Sequence, residues 1–418
     1  MRSAATHRRS SWEGIRLNGM EPKLVITAMS SISSLGKSAA DIVASLSSPP
    51  KTGTVQDFGF HKLSNPQPCF CIADFDPELI LGKKGLRTKD RATKILLAAV
   101  ELGCKDIFET TPRDARPGIC IGTSFGSVQS IGDFLSDAIV NGAHNVNPMA
   151  FANTVINAPT SNVNIRHASR MSSSTVATTF NAGIDALIYA CTYIRAGHAS
   201  SMVVGGLEEI SFYSLAGLAR SNVLSASDVM MPFCRDSDGF LPGEGCAIFY
   251  IESEESAADR NAPVIAELAG MCSCFEPGQG PQGFHTGSEG ARHAMKQACR
   301  NAGIDASAID FIAASANGSP SGDAMEAAAI GELFPATPVA AYKAKTGECY
   351  GASSMLSLAC AISDMKNARI SGVGIHYARR GDCNLVADTI NNRTSRFALV
   401  NSFSCDGFCA SLVLKNRV

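Results

Sequence analysis

The sequence predicts an α/β protein made of two comparable halves, with mostly parallel sheets and helices on their faces. Three observations carry this expectation. Apolar strand-like runs alternate with helical patterns along the whole chain. The order of elements starts again after about Ser256, which assigns residues 23–254 to one half and 255–418 to the other. Several helical stretches are Ala/Ser-rich and apolar all round, as helices buried between layers are.

In the first half, "KLVITAMSSISSLG" (Lys23–Gly36) reads as a strand entering a Ser/Gly turn, and "SAADIVASLSSP" as a short helix stopped by Pro49 and Pro50. "RATKILLAAVELGCKDI" has helical apolar spacing, and "RPGICIGTSFGSV" reads as a buried strand running into a Gly/Ser turn. The stretch Ser172–Gly206 opens with small hydroxyl residues, continues as an alanine-rich amphipathic helix, and ends in an apolar strand closed by two glycines. In this reading Ser173, Ser174 and Thr175 cap the helix. Val176 then stands at its N-terminus, where backbone N–H groups and the helix dipole favour negative charge and where many enzymes present a nucleophile. Valine has no such chemistry. "GCAIFYIES" (Gly245–Ser253) is a strand of strong β-propensity.

The second half repeats the pattern. "APVIAELAGMCSCF" is a long strand, "SEGARHAMKQACRNAGI" an amphipathic helix ended at Gly303, and "IDFIAASANGSPSGD" a strand and loop. "AMEAAAIGELF" is a helix, "PVAAYKAKTGE" a strand, "ASSMLSLACAISDMKN" an apolar helix, and "SRFALVNSFSCDGFCASLVLK" a hairpin around a glycine.

Composition narrows the function. With 418 residues, 45% of them hydrophobic and 18% charged, the chain buries a sizeable core. A net charge of −2 leaves no extended basic surface, which argues against nucleic acid as a partner. No apolar run reaches the roughly 18 residues of a membrane span. The fifteen cysteines are scattered. The close pairs Cys69/Cys71, Cys272/Cys274 and Cys405/Cys409 lack C-x-x-C spacing, so no metal site is expected. Reduced thiols acting as small core residues, and hence a cytoplasmic protein, fit that distribution. Residues 1–22 carry Arg2, Arg8, Arg9 and Arg16 and no apolar run; they are expected to be a disordered tail rather than a secretory signal.

Four longer stretches, in order, carry a resemblance. These are "IRAGHASSMVVGGLEE", "PFCRDSDGFLPGEGCAIFYIES", "SPSGDAMEAAAI" and "KAKTGECYGASS". From about Lys23 to Leu414 the chain resembles the β-ketoacyl-acyl carrier protein synthases, condensing enzymes of thiolase fold. The resemblance implies duplicated βαβαβαββ halves stacked in a five-layered αβαβα architecture. In that family a cysteine at a helix N-terminus takes the acyl chain from an acyl carrier protein. Two histidines then hold the malonyl thioester for decarboxylative condensation. The nucleophile needs a lowered pKa, and the enolate needs donors aimed at its oxygen. On this chain the matching positions are read as Val176, Ser315 and Glu348, so all three catalytic side chains are missing. Lys343, Asp323 and Glu326 match the family's charged network that braces the active-site loops. In "NSFSCDGFCA" the family's glycine-phenylalanine-glycine gate is replaced by Ser404, Cys405 and Asp406. Gly supplies backbone conformations that Ser and Asp adopt only at a cost, so this loop is not expected to move as in an active enzyme.

The resemblance then points to a chain length factor of a type II polyketide or polyene synthase. Such a chain is inactive alone and pairs with a catalytically active ketosynthase subunit in a heterodimer. It shapes the acyl tunnel, and its other partner is the acyl carrier protein. It needs no cofactor of its own, since the phosphopantetheine belongs to the carrier. Met149, Phe151, Asn153 and Thr154 in "NPMAFANTVINAP" are the candidate tunnel and interface residues. Two alternatives stay open: an active β-ketoacyl-ACP synthase with displaced catalytic residues, and a homodimeric acyl-binding regulator.

Overall fold

β-Branched and aromatic runs become the strands, and the helices fill the intervals between them. In this computed structural model residues 22–276 and 287–417 are described. All but Pro22 of the expected N-terminal tail lies outside them. The first half runs β1 (Leu24–Ser33), α1 (Ala39–Leu46), β2 (Gly53–Asp57), β3 (Lys62–Cys69), α2 (Pro77–Leu81), α3 (Arg91–Thr110) and β4 (Gly118–Gly122). It continues with α4 (Val128–Asn141), α5 (Pro148–Phe151), α6 (Ala158–His167), β5 (Ser173–Val176), α7 (Ala182–Arg195), β6 (Ser201–Glu208), α8 (Phe212–Arg220) and β7 (Gly245–Ser253). After α9 (Glu254–Asp259) come β8 (Ala266–Phe275), α10 (Glu289–Asn301), β9 (Phe311–Ala313), α11 (Pro320–Leu333), β10 (Pro338–Ala340) and α12 (Lys343–Thr346). The chain closes with α13 (Ser353–Lys366), β11 (Asn384–Leu385), β12 (Phe397–Phe403) and β13 (Phe408–Asn416).

The duplication is visible in the strand order. One half reads β5-β4-β6-β7-β1 and the other β10-β9-β12-β13-β8, with β11 added at the far edge. The senses match pair by pair: β4 lies parallel to β5 and β6, as β9 does to β10 and β12. β7 is antiparallel to β6 and β1, as β13 is to β12 and β8. The expectation of mostly parallel sheets is therefore corrected to mixed ones. β12 and β13 are joined by a tight turn, and with no crossover helix between them the second strand must run back. The two sheets meet where Val25 and Ile26 pair with Glu267 and Ala266.

Side chains alternate between the faces of these strands. Met202, Val204, Phe249 and Ile251 point into a central core with α7 and α13. Val203, Leu207, Ile248 and Tyr250 point outward onto α3. On the other sheet Ile312, Val339, Leu399 and Val413 face α10 and α11. The stack is helix, sheet, helix, sheet, helix, the five layers expected. α13 lies at its centre, and every residue from Ser353 to Met365 is buried. Its all-round apolar sequence follows from that place.

A further element assignment needs correction beside the sheets. Only Pro338–Ala340 of "PVAAYKAKTGE" is strand; Lys343–Thr346 turns into a helical segment that ends at Gly347, whose φ is 71°. The β2–β3 hairpin, α4 and α8 were not foreseen. Among the described residues no helix is long and apolar enough to cross a membrane.

Candidate functional site

Four connections converge at one end of the central helices: the turn from β5 into α7, the loop after β9, the turn between α12 and α13, and the β12–β13 turn. The first corrects the sequence reading. Val176 is the last residue of β5, where its carbonyl accepts from the Thr123 N–H at 2.9 Å. It is not at the helix N-terminus, because α7 begins at Ala182 with Asn181 as its N-cap. Ser173, Ser174 and Thr175 are strand residues paired with β4, not caps, and Thr175 Oγ1 hydrogen-bonds Thr160 Oγ1 at 2.7 Å. The physical reason is β-propensity: Thr175 and Val176 are β-branched and extend the sheet before the chain can turn. The residue presented just ahead of α7 is Phe180.

Phe180 belongs to an aromatic cluster. Its ring meets Tyr350 edge-on at 5.2 Å and Phe240 at 6.3 Å, and Phe125 packs on Tyr350 at 5.0 Å. Tyr350 is fully buried and held at a left-handed φ of 46°. For a bulky side chain that is a strained conformation, and it persists only where its surroundings fix it. The clamp is Glu348. Its Oε1 accepts from the Tyr350 N–H at 2.9 Å and the Ser353 hydroxyl at 2.6 Å. Its Oε2 accepts from Lys343 Nζ at 2.8 Å and Asn317 Nδ2 at 2.7 Å. Four donors occupy the acceptor positions of this fully buried carboxylate.

Ser315 is equally committed. Its N–H donates to Glu326 Oε1 at 2.9 Å, and its hydroxyl accepts from the Phe403 N–H at 2.9 Å, stitching the β9 loop to the end of β12. Glu326 also accepts from Asn401 Nδ2 at 2.9 Å, while its Oε2 has no partner. Asp323, in the first turn of α11, accepts backbone N–H groups of Phe233, Asn317 and Gly318. Burial pushes the carboxyl of Asp323 up to about 6 and that of Glu326 up to about 7, against the pull of these bonds. Lys343 makes its ion pair with Glu348, whereas Asp323 and Glu326 serve mainly to hold backbone. Glu208, at the end of β6, plays the same part for Ser124, Phe125 and Gly351, and burial lifts it to about 7.

The β12–β13 turn latches onto the β5–α7 turn. Thr179 Oγ1 donates to Asp406 Oδ2 at 2.6 Å and lies 2.9 Å from Ser404 Oγ. A cavity of about 290 Å³ opens beside it, lined by Phe180, Phe240, Asn222, Ser319 and Cys405. Burial, then Asp406, raises the Cys405 thiol, which keeps it protonated. No histidine is among the residues that make these contacts.

The segment read as tunnel wall lies elsewhere, against α4, where the Phe151 ring meets that of Phe134 at 5.9 Å. β5 is the last strand of the sheet and leaves one edge unpaired. α6, which packs on β5, exposes Ile165 at 75%; α4 and α5, which pack on each other, expose Ile139 at 83% and Met149 and Phe151 at 61% each. Asn153 Nδ2 reaches the Thr88 carbonyl at 2.8 Å, and Thr154 Oγ1 bonds the Phe151 carbonyl at 2.8 Å, so both hold the segment in shape. Phe180 and Tyr350 were missed in the sequence. The signal for Phe180 was its place directly before Asn181-Ala182-Gly183; Tyr350 left none.

The chain matches the description "Beta-ketoacyl synthase, N-terminal domain" over residues 23–257 and "Beta-ketoacyl synthase, C-terminal domain" over residues 265–373. It belongs to the β-ketoacyl synthase family. Among this family's curated members it is 26% identical over 412 residues to 3-oxoacyl-[acyl-carrier-protein] synthase 2 of Coxiella burnetii, covering 94% of this chain and 98% of that one. It is 28% identical over 364 residues to the protein of the same name from Staphylococcus aureus, covering 82% and 88%. Among solved structures, the ishigamide ketosynthase/chain length factor superposes with a TM-score of 0.87 at 23% identity, covering 96% of this chain and all of that one. The ketosynthase ApeO in complex with its chain length factor ApeC, from Xenorhabdus doucetiae, gives 0.80 at 20% identity, covering 94% and 98%. At these identities the structural likeness establishes the thiolase-like fold of the β-ketoacyl synthases.

Proposed function

We propose that this chain is a non-catalytic chain length factor, which pairs with an active ketosynthase and shapes the cavity in which that partner's acyl chain grows. One observation carries the reading. The position ahead of α7 holds Phe180, and the two loop positions hold Ser315 and Glu348, each locked into structural hydrogen bonds. A phenyl ring cannot take an acyl group. A carboxylate saturated by four donors cannot donate to an enolate oxygen. The Lys343–Glu348 pair keeps the scaffold folded without the chemistry.

The unpaired edge of β5 and the exposed apolar side chains of α4, α5 and α6 support a partner at these surfaces. Large apolar side chains left to solvent are what such an interface would cover. Met149 and Phe151 on α5 are the residues offered to the partner's acyl cavity. The named complexes among the structural neighbours, ketosynthase with chain length factor and a ketosynthase with its acyl-carrier protein, agree with that assembly and with a carrier-protein partner. Co-expression with a ketosynthase that has its cysteine and both histidines should give a mixed dimer on size exclusion, and acyl groups should load on the partner alone. A thioester on this chain in the absence of a partner would sink the proposal.

The 3-oxoacyl synthase names of the curated relatives favour a second reading, an active enzyme with a displaced nucleophile. Cys405, which lines the cavity beside Phe180, is its candidate. That reading requires acyl loading that disappears in Cys405→Ala.

A further inference from the structure

We propose that Cys69 and Cys71 form a redox-active dithiol, which closes to a disulfide by exchange with a low-molecular-weight disulfide of the glutathione class. The two residues end β3 and begin the loop toward α2. Their Sγ atoms lie 3.0 Å apart, one hydrogen bond from a covalent bridge. The pair is asymmetric. Cys69 is fully buried, whereas Cys71 is half-buried. Arg91 stands beside Cys71, its guanidinium fixed by Glu244, with Nε–Oε2 at 2.9 Å. The hydrogen bond from Cys69 and the Arg91 charge lower the Cys71 thiol despite burial and the opposing Glu244 carboxylate, while the Cys69 thiol is raised. The other close pairs lack this contact; Cys274, for example, donates to the Gly290 carbonyl.

The chemistry balances in two exchanges. The Cys71 thiolate attacks one sulfur of oxidised glutathione, forming a mixed disulfide and releasing one glutathione thiolate. Cys69, deprotonated, attacks Cys71 Sγ, forms the internal disulfide and expels the second glutathione. The protein loses two protons and two electrons, and one glutathione disulfide takes them up to become two thiols.

The residue between the cysteines ties the pair to the site above. Phe70 is fully buried against Gly347, where an added Cβ would lie 2.7 Å from its ring. Its N–H donates to the Pro242 carbonyl at 2.8 Å, and the following Gly243 N–H donates to the Glu348 carbonyl at 2.9 Å. Closing the bridge draws in the backbone on either side of Phe70, directly behind Glu348. The proposal does not depend on the chain length factor reading.

The test is peptide mass mapping of the intact folded chain equilibrated in oxidised and then reduced glutathione. The expected result is a Cys69–Cys71 peptide lighter by two hydrogens, restored on reduction. In Cys69→Ala the exchange stops half-way, and Cys71 carries one glutathione. In Cys71→Ala, Cys69 remains unmodified. Two free thiols on that peptide in fully oxidised glutathione would overturn the proposal using the wild-type protein alone. So would Cys69→Ala with no glutathione on Cys71.

Discussion

Replacing Glu348 by alanine tests whether this carboxylate is structural. Glu348 is fully buried, and its partner Lys343 is 4% exposed. Removing the carboxylate strands the ammonium without its counter-charge, and breaking a buried pair in this way costs about 3–5 kcal/mol. It also frees the Tyr350 N–H, which the strained turn at φ 46° needs. With an unfolding entropy of about 2 cal/mol/K per residue, a loss of about 4 kcal/mol lowers the melting temperature of a chain this long by about 4–5 °C. The assay is urea and thermal denaturation of E348A, K343M and the double variant. Because the second substitution removes the charge the first exposes, the double variant should recover at least about 1 kcal/mol of the summed penalties. Additive penalties, or a cost under about 1 kcal/mol for E348A alone, would refute the reasoning.

Four other outcomes are expected. Asp323, Glu208 and Glu326 have folded pKa values raised by burial to about 6, 7 and 7, so the folded state holds protons that the unfolded state releases. Stability should therefore fall as pH rises from the ordinary carboxylate range to about 7, by up to about 1.4 kcal/mol per unit for each group. E326Q, which mimics the protonated form, should flatten part of that slope in pH-dependent denaturation. I139D or F151D should weaken assembly with a ketosynthase by at least about 30-fold, equivalent to about 2 kcal/mol, read by analytical ultracentrifugation, with secondary structure unchanged. M149A or F151A should lengthen the product made by the reconstituted pair, as mass spectrometry would show; unchanged length in both would remove these residues from the cavity wall. D406G breaks the bond to Thr179, and amide exchange should accelerate in residues 404–407 while the melting temperature hardly moves.

The divided legibility of this protein has a local cause. Signals confined to a few neighbouring residues survive in the sequence. The β-propensity of Gly245–Ser253 and the apolar wrap of Ser353–Met365 marked a strand and a central helix, and the repeated order marked the duplication. Ser315 and Glu348 could be placed because Pro320, Gly322, Lys343 and Gly347 lie a few positions away on the same loops. Val176 was misplaced by the same local reasoning. A run of small hydroxyl residues is compatible with a cap or a strand, and only pairing with β4 decides between them. What those loops do once folded is set by residues far away in the chain. Glu348 accepts a hydrogen bond from Asn317 on another loop, Thr179 is latched by Asp406, and the thiols of Cys69 and Cys71 are set by Arg91 and Glu244. By itself, then, the sequence determined the layered scaffold. Only the tertiary structure decided that Phe180 precedes the helix, that Glu348 is spent as a clamp, and that large apolar side chains of α4, α5 and α6 are left exposed. Charge neutralisation and burial are sums over contacts that no short window of sequence contains.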